Sequence, residues 1–349
     1  SKTEPSVRRL RLLPPDRAKT PLRRYEVAAS GANRELFPLN LRNQQVYWTS
    51  VGIAAGRQKS IFDEFGNLEA WKGAPMLQPL WRDAAGHVHA AHGGSPKQAL
   101  RGGWLPMPSV EWKPEPELNL RSEAFALEQP AQPVTLLRHR LQNMGKRRID
   151  GELVLLLRPS QIAPPWQYAG GSPIHDVALE DAGGGGAQDT VVRVNGRLFL
   201  RSLVPVQSRG ASSFGVLGEG ELTRAVVSGA LPTSAQAHDD DGLAAAYLRY
   251  AVSIEPGETR DVVLAFPLGT EKVDVLAGKI PEPPALAIPA PVGARADGKP
   301  DASGRFDVLA GQVARKWRER TGQAGIELPD HDLVDALHRT DGCALLLAA

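Results

Sequence analysis

One hairpin signature sets the fold class of this sequence: Thr190-Val-Val-Arg-Val194, Asn195-Gly196, Arg197-Leu-Phe-Leu-Arg201. On each side of the Asn-Gly pair, apolar residues recur at every second position, which is the period of a strand with one buried face. The pair itself suits a type I′ turn, because both central residues of that turn need a positive φ. The stretch therefore predicts two antiparallel strands joined by a two-residue turn.

A second turn signature lies near the end of the strand-rich sequence. Tyr250–Ile254 and Thr259–Phe266 are both rich in apolar and β-branched residues. Between them, Pro256 fixes φ for the first central position of a type II turn, and Gly257 supplies the positive φ of the second position. We therefore predict a second hairpin here.

The middle of the chain extends this pattern. Leu153–Leu157 is a continuous apolar run, as expected for a strand that is covered on both faces. Val134–Leu141 is its predicted partner, with a turn at residues 143–145. Turn signals recur about every ten residues between Tyr25 and Leu268, so we predict a mostly β chain built as a large antiparallel β-sandwich.

The C-terminal part of the sequence has a different character. Residues 281–304 contain six prolines, which predicts a semi-rigid linker. A predicted helical segment, 305–349, follows. Its first helix carries an apolar stripe at helical spacing, formed by Phe306, Leu309, Val313 and Trp317. A second helix is predicted to follow Asp330 as its N-cap.

The composition excludes several classes of protein. The 349 residues include 41 Lys and Arg against 39 Asp and Glu, a net charge of +2. Apolar runs such as Leu153–Leu157 are far too short to cross a bilayer, so we predict no membrane span. Cys343 is the single cysteine, which excludes an internal disulfide, a zinc ribbon and an iron–sulfur cage. No cofactor is predicted.

The first 24 residues are strongly basic, with eight Lys or Arg and two Asp or Glu. A nucleic-acid-binding surface would interleave such charges with aromatic residues, but Tyr25 is the first aromatic residue. We therefore predict a solvated arm or the last strand of a preceding module, and no nucleic-acid partner. The start at Ser1 and the apolar end Cys343–Ala349 lead us to expect a piece of a longer protein.

Two clusters contain residue types that bind metals. His87, His89 and His92 lie among glycines and lack a carboxylate or thiolate at a useful spacing, so an exposed loop is favoured over a metal site. The run His238–Gly242 contains three Asp residues but not the alternating ligands of a calcium loop, and we interpret it as a turn. No metal site is predicted.

No residue of this sequence is assigned a catalytic role. Ser212 and Ser213 miss the spacing of a nucleophile elbow. No motif selects the pair of carboxylates that glycosidic acid–base chemistry needs. A mutarotase-like enzyme would need a His and a Glu paired on one sheet, and for His139 and His175 a structural role is favoured.

A proline-rich loop carries the strongest binding signature. Trp166 lies in Pro164-Pro165-Trp166-Gln167, and a flat indole face can stack on a sugar ring. Donor groups that suit sugar hydroxyls lie on both sides of it. The predicted substrate-binding residues are Arg158, Gln161, Trp166 and Gln167. Simple packing of the loop is the alternative.

Several segments share a resemblance to a known class of proteins. They are, in chain order, Gln45–Thr49, Asp63–Asn67, Leu105–Trp112, Arg158–Gln167 with Gly170–Ile174, Gly242–Phe266, and Trp317–Arg320 with Ile326–Asp330. The set resembles parts of large bacterial carbohydrate-active proteins, namely glycogen-debranching enzymes, glucoamylases and sugar phosphorylases, which often carry a coagulation factor 5/8-type (discoidin) module upstream. Ala163 departs from the pattern, in which an Asn is expected near that position.

The resemblance implies both an architecture and a function. Residues 25–280 would form a β-supersandwich similar to galactose-mutarotase-like domains, and residues 305–349 would begin an (α/α)₆ barrel that holds the catalytic carboxylates. This chain would then be the non-catalytic sandwich portion of a glycoside hydrolase-like protein, supporting the barrel and lining its sugar cleft. Its partners would be an oligo- or polysaccharide and the helical catalytic domain of the same protein. A stand-alone carbohydrate-binding or adhesive β-sandwich is the alternative.

Overall fold

The structure, a computed structural model, describes most of the chain. The described residues are 20–30, 36–42, 44–129, 132–167, 169–181, 190–215, 217–269, 302–321 and 331–347. Over these residues the chain is mostly β, as predicted, with seventeen strands in two antiparallel sheets and four α-helices. None of the described helices is long and apolar enough to cross a membrane.

The strands are, in chain order, β1 (Trp48–Val51), β2 (Ser60–Asp63), β3 (Leu68–Glu69), β4 (Met76–Asp83), β5 (Val88–His89), β6 (Lys97–Leu100), β7 (Pro108–Glu115), β8 (Leu118–Leu127), β9 (Val134–Asn143), β10 (Ile149–Arg158), β11 (Asp176–Asp181), β12 (Thr190–Val194), β13 (Arg197–Ser202), β14 (Ser208–Ser212), β15 (Gln236–His238), β16 (Ala245–Ile254) and β17 (Thr259–Pro267). The helices are α1 (Pro21–Ser30), α2 (Leu222–Ser228), α3 (Ala302–Thr321) and α4 (His331–Leu347). Sheet 1 has the strand order β1-β2-β3-β4-β10-β16-β14, with β5 paired to β4. Sheet 2 has the order β15-β11-β12-β13-β17-β9-β8-β7-β6.

The two sheets face each other across one continuous apolar core, which makes the fold a β-sandwich. Sheet 1 contributes Leu153, Leu155 and Leu157 to this core, while the alternate residues Val154 and Leu156 point to the outer side. There they pack against α2, so both faces of the strand are covered, as the apolar run predicts.

The first predicted hairpin is confirmed. Asn195 and Gly196 have φ of 50° and 78°, and they join β12 to β13 in sheet 2. The side chain of Asn195 also accepts hydrogen bonds from the backbone N–H groups of His175 and Asp176 at 2.8 and 3.1 Å. The turn therefore has both the backbone geometry and the side-chain bonds that hold it in place.

The two other predicted pairings, of β16 with β17 and of β9 with β10, are wrong. The turn at Glu255–Glu258 forms, because Gly257 has φ of 77° and the N–H of Glu258 donates to the carbonyl of Glu255 at 3.0 Å. However, β16 belongs to sheet 1 and β17 to sheet 2, so the turn crosses between sheets instead of closing a hairpin. In the same way β9 and β10 lie in different sheets. Strand β10 pairs with β4 and β16, and β17 pairs with β9 and β13, all of them distant in sequence. Strand β9 pairs with β17 and with β8, which directly precedes it.

One side chain joins the two turns that cross between sheets. Asn143 ends β9 and donates through Nδ2 to the carbonyls of Arg147 and Ile254, at 2.7 and 2.9 Å. Its own carbonyl accepts from the N–H of Gly257 at 3.0 Å. The two crossings are therefore fixed to each other at this end of the sandwich.

The predicted boundaries at both ends shift. Residues 21–24, predicted as part of a basic arm or strand, begin helix α1, because Tyr25, Ala28 and Ala29 pack into a buried cluster with Phe37 and Phe214. Residues 1–19 of the arm lie outside the described residues, as do 281–301 of the predicted linker. Residues 302–304, predicted as linker, are the first residues of α3.

Helix α3 packs on the outer face of sheet 2, the face turned away from sheet 1. Of the predicted stripe, Phe306, Val313 and Trp317 are buried and Leu309 is half-buried, so the helical spacing in the sequence is confirmed, and Ala310 is buried beside them. The seat on the sheet is formed mainly by Phe125, Leu136 and Val263. Helix α4 follows as predicted, and its Leu345 carbonyl accepts from the N–H of Ala55 at 2.9 Å. Its predicted cap, Asp330, lies outside the described residues.

Candidate functional site

The predicted binding loop begins at Arg158, the last residue of β10. This side chain is only 1% exposed, and all three of its nitrogen atoms donate to protein groups. The acceptors are Gln78 Oε1 (2.7 Å), Tyr25 Oη (2.9 Å), Glu221 Oε1 (3.1 Å), Thr223 Oγ1 (2.9 Å) and the Leu36 carbonyl (3.4 Å). Burial raises the pKa of Tyr25 to about 12, so this phenol is neutral at any physiological pH. Arg158 thus joins α1, sheet 1 and α2.

The carboxylate opposite Arg158 is equally enclosed. Glu221 is the N-cap of α2, and its Oε2 accepts from the N–H of Thr223 at 2.9 Å. Its Oε1 accepts from both Arg158 and the Thr223 hydroxyl. The ion pair is therefore fully buried with its hydrogen bonds made. We call Arg158, Glu221, Tyr25, Gln78 and Thr223 the closed cluster.

The middle of the loop is held by side chains beneath it. Glu69 accepts from the N–H groups of Ile162 and Gly73 at 3.0 and 2.6 Å, and burial raises the pKa of this carboxyl. Gln161 accepts from Lys72 Nζ at 3.2 Å and donates to the Gly171 carbonyl at 3.1 Å. The amide of Gln161 is thus used within the protein, although the residue lies near the surface.

The far end of the loop is fixed to a segment 121 residues earlier. Gln167 accepts from the N–H of Val46 at 3.1 Å and donates to its carbonyl at 3.2 Å, as a neighbouring strand would do. These bonds place Trp166, which is 53% exposed, beside the segment that carries Tyr47 and Trp48, themselves 62% and 40% exposed. We call these three residues the aromatic group.

The structure therefore separates the four predicted binding residues. Trp166 is open to solvent, whereas Arg158, Gln161 and Gln167 bond to protein groups and hold the loop. A sugar contact by Arg158 would require the closed cluster to open. Sequence reasoning missed Tyr47. The available signal was its place in the segment Gln45–Thr49, which contributes to the resemblance.

A second candidate site lies on the outer face of sheet 2, beside the first turns of α3. It is a cavity of about 360 Å³. Its charged lining includes Glu111, Arg121, Glu123, Arg138, Arg140 and Asp307. We call these six residues the open cluster. No pattern singled them out in the sequence, because they come from three strands and a helix.

Arg138 is the centre of the open cluster. It forms ion pairs with Glu123 at 2.5 Å, Asp307 at 2.8 Å and Asp261 at 3.5 Å, and its guanidinium lies 4.2 Å from the centre of the Phe306 ring. Arg140 pairs with Asp261 at 2.7 Å, and this bond raises the arginine pKa. Burial alone would raise the pKa of Asp261, but hydrogen bonds from Arg140 and Ser303 outweigh it and lower the pKa.

His87, His89 and His139 each contact a carboxylate or a hydroxyl group of the described residues. His87 and His89 both contact Asp83, at 3.1 and 3.4 Å, so the expectation that no carboxylate lies at a useful spacing is wrong. Even so, no group of three His, Cys, Asp or Glu within the described ranges is able to hold a metal ion. His139 is buried on the inner face of sheet 2, where it contacts Ser122 Oγ at 2.7 Å.

The Asp-rich run is a turn, as predicted. Asp239 accepts from the N–H groups of Asp241 and Leu243 through one carboxylate oxygen, at 3.0 and 3.1 Å, and Gly242 has a φ of 72°. Asp241 in turn bonds to the buried Arg24 of α1. The run therefore ties helix α1 to the sandwich.

Comparisons with known proteins give little beyond this. No family model matches the chain, and no curated protein matches it. Among solved structures, one matching chain is provisionally described as a kojibiose phosphorylase from human microbiome. It shares 7% identity, the TM-score is 0.30, and the match covers 83% of this chain and 29% of that one, so this chain spans less than a third of its length. A likeness this distant carries no argument about function.

Proposed function

We propose that this chain is the non-catalytic sandwich portion of a glycoside hydrolase-like, carbohydrate-active protein. In this proposal the sandwich supports a helical catalytic domain, and its Arg158–Gln167 loop lines the saccharide cleft. The observation that carries the proposal is the exposed indole of Trp166 on a loop whose other functional side chains are all anchored within the protein.

The anchoring favours binding for a physical reason. An indole face presents flat apolar area to the C–H face of a sugar ring, and its N–H remains available to a hydroxyl. A loop that is already ordered loses little entropy when a ligand binds. Glu69 and Gln167 fix the loop at both ends of the Trp166 segment. Arg158, Gln161 and Gln167 are then positioning residues, and Trp166 is the contact residue.

The supporting role rests on the outer face of sheet 2. Helix α3 buries an apolar stripe on this face, and its Phe306 ring lies 4.8 Å from that of Phe125 in an edge-to-face arrangement. The guanidinium of Arg138 lies over the same Phe306 ring, 4.2 Å from its centre. Such a seat holds a helical segment against the sandwich, as the proposal requires.

Saccharide binding tests the role of the loop. The chain would be titrated with maltotetraose and cellotetraose, with tryptophan fluorescence and calorimetry as readouts. We expect one of these to bind, and Trp166→Ala to weaken binding by about tenfold or more, as for a central aromatic contact. Met144→Ala is the control, because Met144 is 62% exposed at the other end of β10. Equal affinity in both variants would rule out the loop as the binding site.

The stand-alone binding module remains the alternative, since it uses the same loop. The two are separated by the reading frame of the source gene. A frame that continues into a helical domain with paired acidic loops supports the proposal, and cleavage of a glycosidic bond by that longer protein completes the test. A longer protein without such a domain favours the binding module.

A further inference from the structure

The outer face of sheet 2 is divided into an apolar half and a polar half. Alternate residues of β8 and β9 point to this face, and those near Phe125 and Leu136 form the seat of α3. Further along the same strands the outward residues become polar. They are Asn119, Arg121 and Glu123 on β8, and Arg138, Arg140 and Gln142 on β9. The cavity lies where the two halves meet.

The charges around the cavity nearly cancel. Guanidinium groups come from Arg101, Arg121, Arg138 and Arg140, and carboxylates come from Glu111, Glu123 and Asp307. A small anion in this cavity would be attracted by the arginines but would also face three carboxylates. A small cation would meet the four arginines. Neither sign of charge is favoured, so the lining suits a neutral ligand with many hydrogen-bonding groups.

The polar lining offers donors and acceptors side by side. Arg121 forms an ion pair with Glu123 at 3.0 Å and donates to Ser109 Oγ at 3.3 Å, and Glu123 also forms an ion pair with Arg138. Asn119 adds an amide whose Oδ1 is buried and accepts no hydrogen bond within the described structure. A buried acceptor without a partner is costly, and a ligand hydroxyl would remove that cost.

Met107, Pro108, Phe125 and Phe306 complete the lining of the cavity, although Met107, Phe125 and Phe306 are almost fully buried. A volume of about 360 Å³ is within the range of small-molecule pockets. A lining of mixed donors and acceptors matches a sugar or a polyol, because each hydroxyl both donates and accepts hydrogen bonds. We propose that this cavity binds a neutral polyhydroxylated small molecule, a monosaccharide unit or a polyol. The proposal stands on this lining alone and is independent of Trp166.

The experiment uses a chain in which the loop is silenced. The Trp166→Ala protein would be titrated by saturation-transfer NMR and calorimetry. Methyl α-glucopyranoside, methyl β-galactopyranoside and myo-inositol are the neutral probes, and glucuronate and inorganic phosphate are the anionic ones. We expect at least one neutral probe to bind with the affinity it has for the unsubstituted chain. Adding Arg121→Gln should weaken that binding about tenfold or more, because a charge-assisted hydrogen bond to the ligand is lost.

Arg193→Gln is the matched control. Arg193 lies on β12 of the same sheet, is exposed to the same extent as Arg121 (41% against 42%), and also pairs with a glutamate on a neighbouring strand. It does not line the cavity. We expect the control to bind the probe within twofold of the parent.

The outcomes separate cleanly. Binding of anionic probes alone, or of none of the neutral ones, overturns the proposal, as does equal affinity in the Arg121→Gln and Arg193→Gln proteins. If Arg121→Gln does not fold, Gln142→Ala decides in its place, since Gln142 has its side chain at the rim of the cavity and no ion pair to lose. A negative result in the oligosaccharide titration leaves this test unaffected, because the protein used here already lacks the Trp166 side chain.

Discussion

The closed cluster and the open cluster are both built around an arginine that joins several elements, but they differ in access to water. In the closed cluster Arg158 and Glu221 are almost completely buried, and the remaining partners are buried with them. In the open cluster Arg138 is buried, whereas its partner Asp307 on α3 is 52% exposed. Arg121, at the rim of the cavity, is half-exposed too.

This difference in burial implies a structural role for the closed cluster and access to ligands for the open cluster. A buried ion pair has lost its hydration, so its groups depend on each other and cannot exchange partners. A half-exposed network keeps water within reach, and its members are able to share hydrogen bonds with a ligand at little cost. The closed cluster therefore holds the loop and helices in place, whereas the groups of the open cluster remain accessible to a ligand.

The largest effect is expected when the closed cluster is broken. Arg158→Met leaves Glu221 buried without its cation, and we expect a loss of about 3–5 kcal/mol in the free energy of unfolding. Urea denaturation measures it. Arg193→Met is the control and should change stability by less than about 0.5 kcal/mol. A small loss in Arg158→Met would mean that water enters the cluster, and the contrast between the two clusters would fall.

The inner face of β9, between Arg138 and Arg140, provides a second test. Burial lowers the pKa of His139 from 6.5 to about 3, so the unfolded chain takes up a proton that the folded chain refuses until far lower pH. Stability should therefore fall as the pH drops from 6.5 towards 3, by up to about 1.4 kcal/mol per pH unit from this residue.

His139→Gln removes the titrating imidazole, and the glutamine side chain can still form a hydrogen bond with Ser122. The difference between the two pH–stability curves isolates His139 from other groups, such as Asp63, whose pKa burial raises to about 7 and whose effect has the opposite sign. Parallel curves for the parent and His139→Gln proteins would show that folding does not lower the pKa of His139.

The smallest effect is expected in the open cluster. Asp307→Asn removes one exposed partner of Arg138, which keeps Glu123 and Asp261. We expect a loss below about 1 kcal/mol that shrinks further at high salt, because exposed ion pairs are screened. Unfolding measured at low and high ionic strength tests this. A loss comparable to that of Arg158→Met would show that the exposed and the buried ion pairs contribute equally to the free energy of unfolding.

The sequence predicted the elements of this fold better than their pairing. The continuous apolar run Leu153–Leu157 indicates a strand covered on both faces, and the spacing of the α3 stripe indicates one buried helix face; both predictions are confirmed. Pro256-Gly257 predicts a turn correctly, but turn chemistry only reverses the chain. Whether β17 returns to the sheet of β16 depends on partners such as β9, more than a hundred residues away.

The candidate sites show the same limit. The prolines around Trp166 indicate an exposed loop, whereas the link to the segment of Tyr47 depends on the bonds between Gln167 and Val46, which are distant in sequence. The open cluster was visible only as charged residues at alternate positions, Arg121 with Glu123 and Arg138 with Arg140. Such spacing predicts one face of a strand, but it does not indicate that two strands lie side by side.

The Asn143 bonds have a consequence for the order in which the molecule forms. These bonds join Asn143 to Ile254 and Gly257, in the turn between β16 and β17. Both of these strands are interior strands of their sheets: β16 lies between β10 and β14, and β17 lies between β9 and β13. A nascent chain therefore presents one open edge of β9 and one of β10 until β17 and β16 are synthesised, although β8 and β4 are already available to pair with the other edges. Productive folding must wait for these late strands, and until they arrive the ribosome-bound chain offers open edges that chaperones would have to shield.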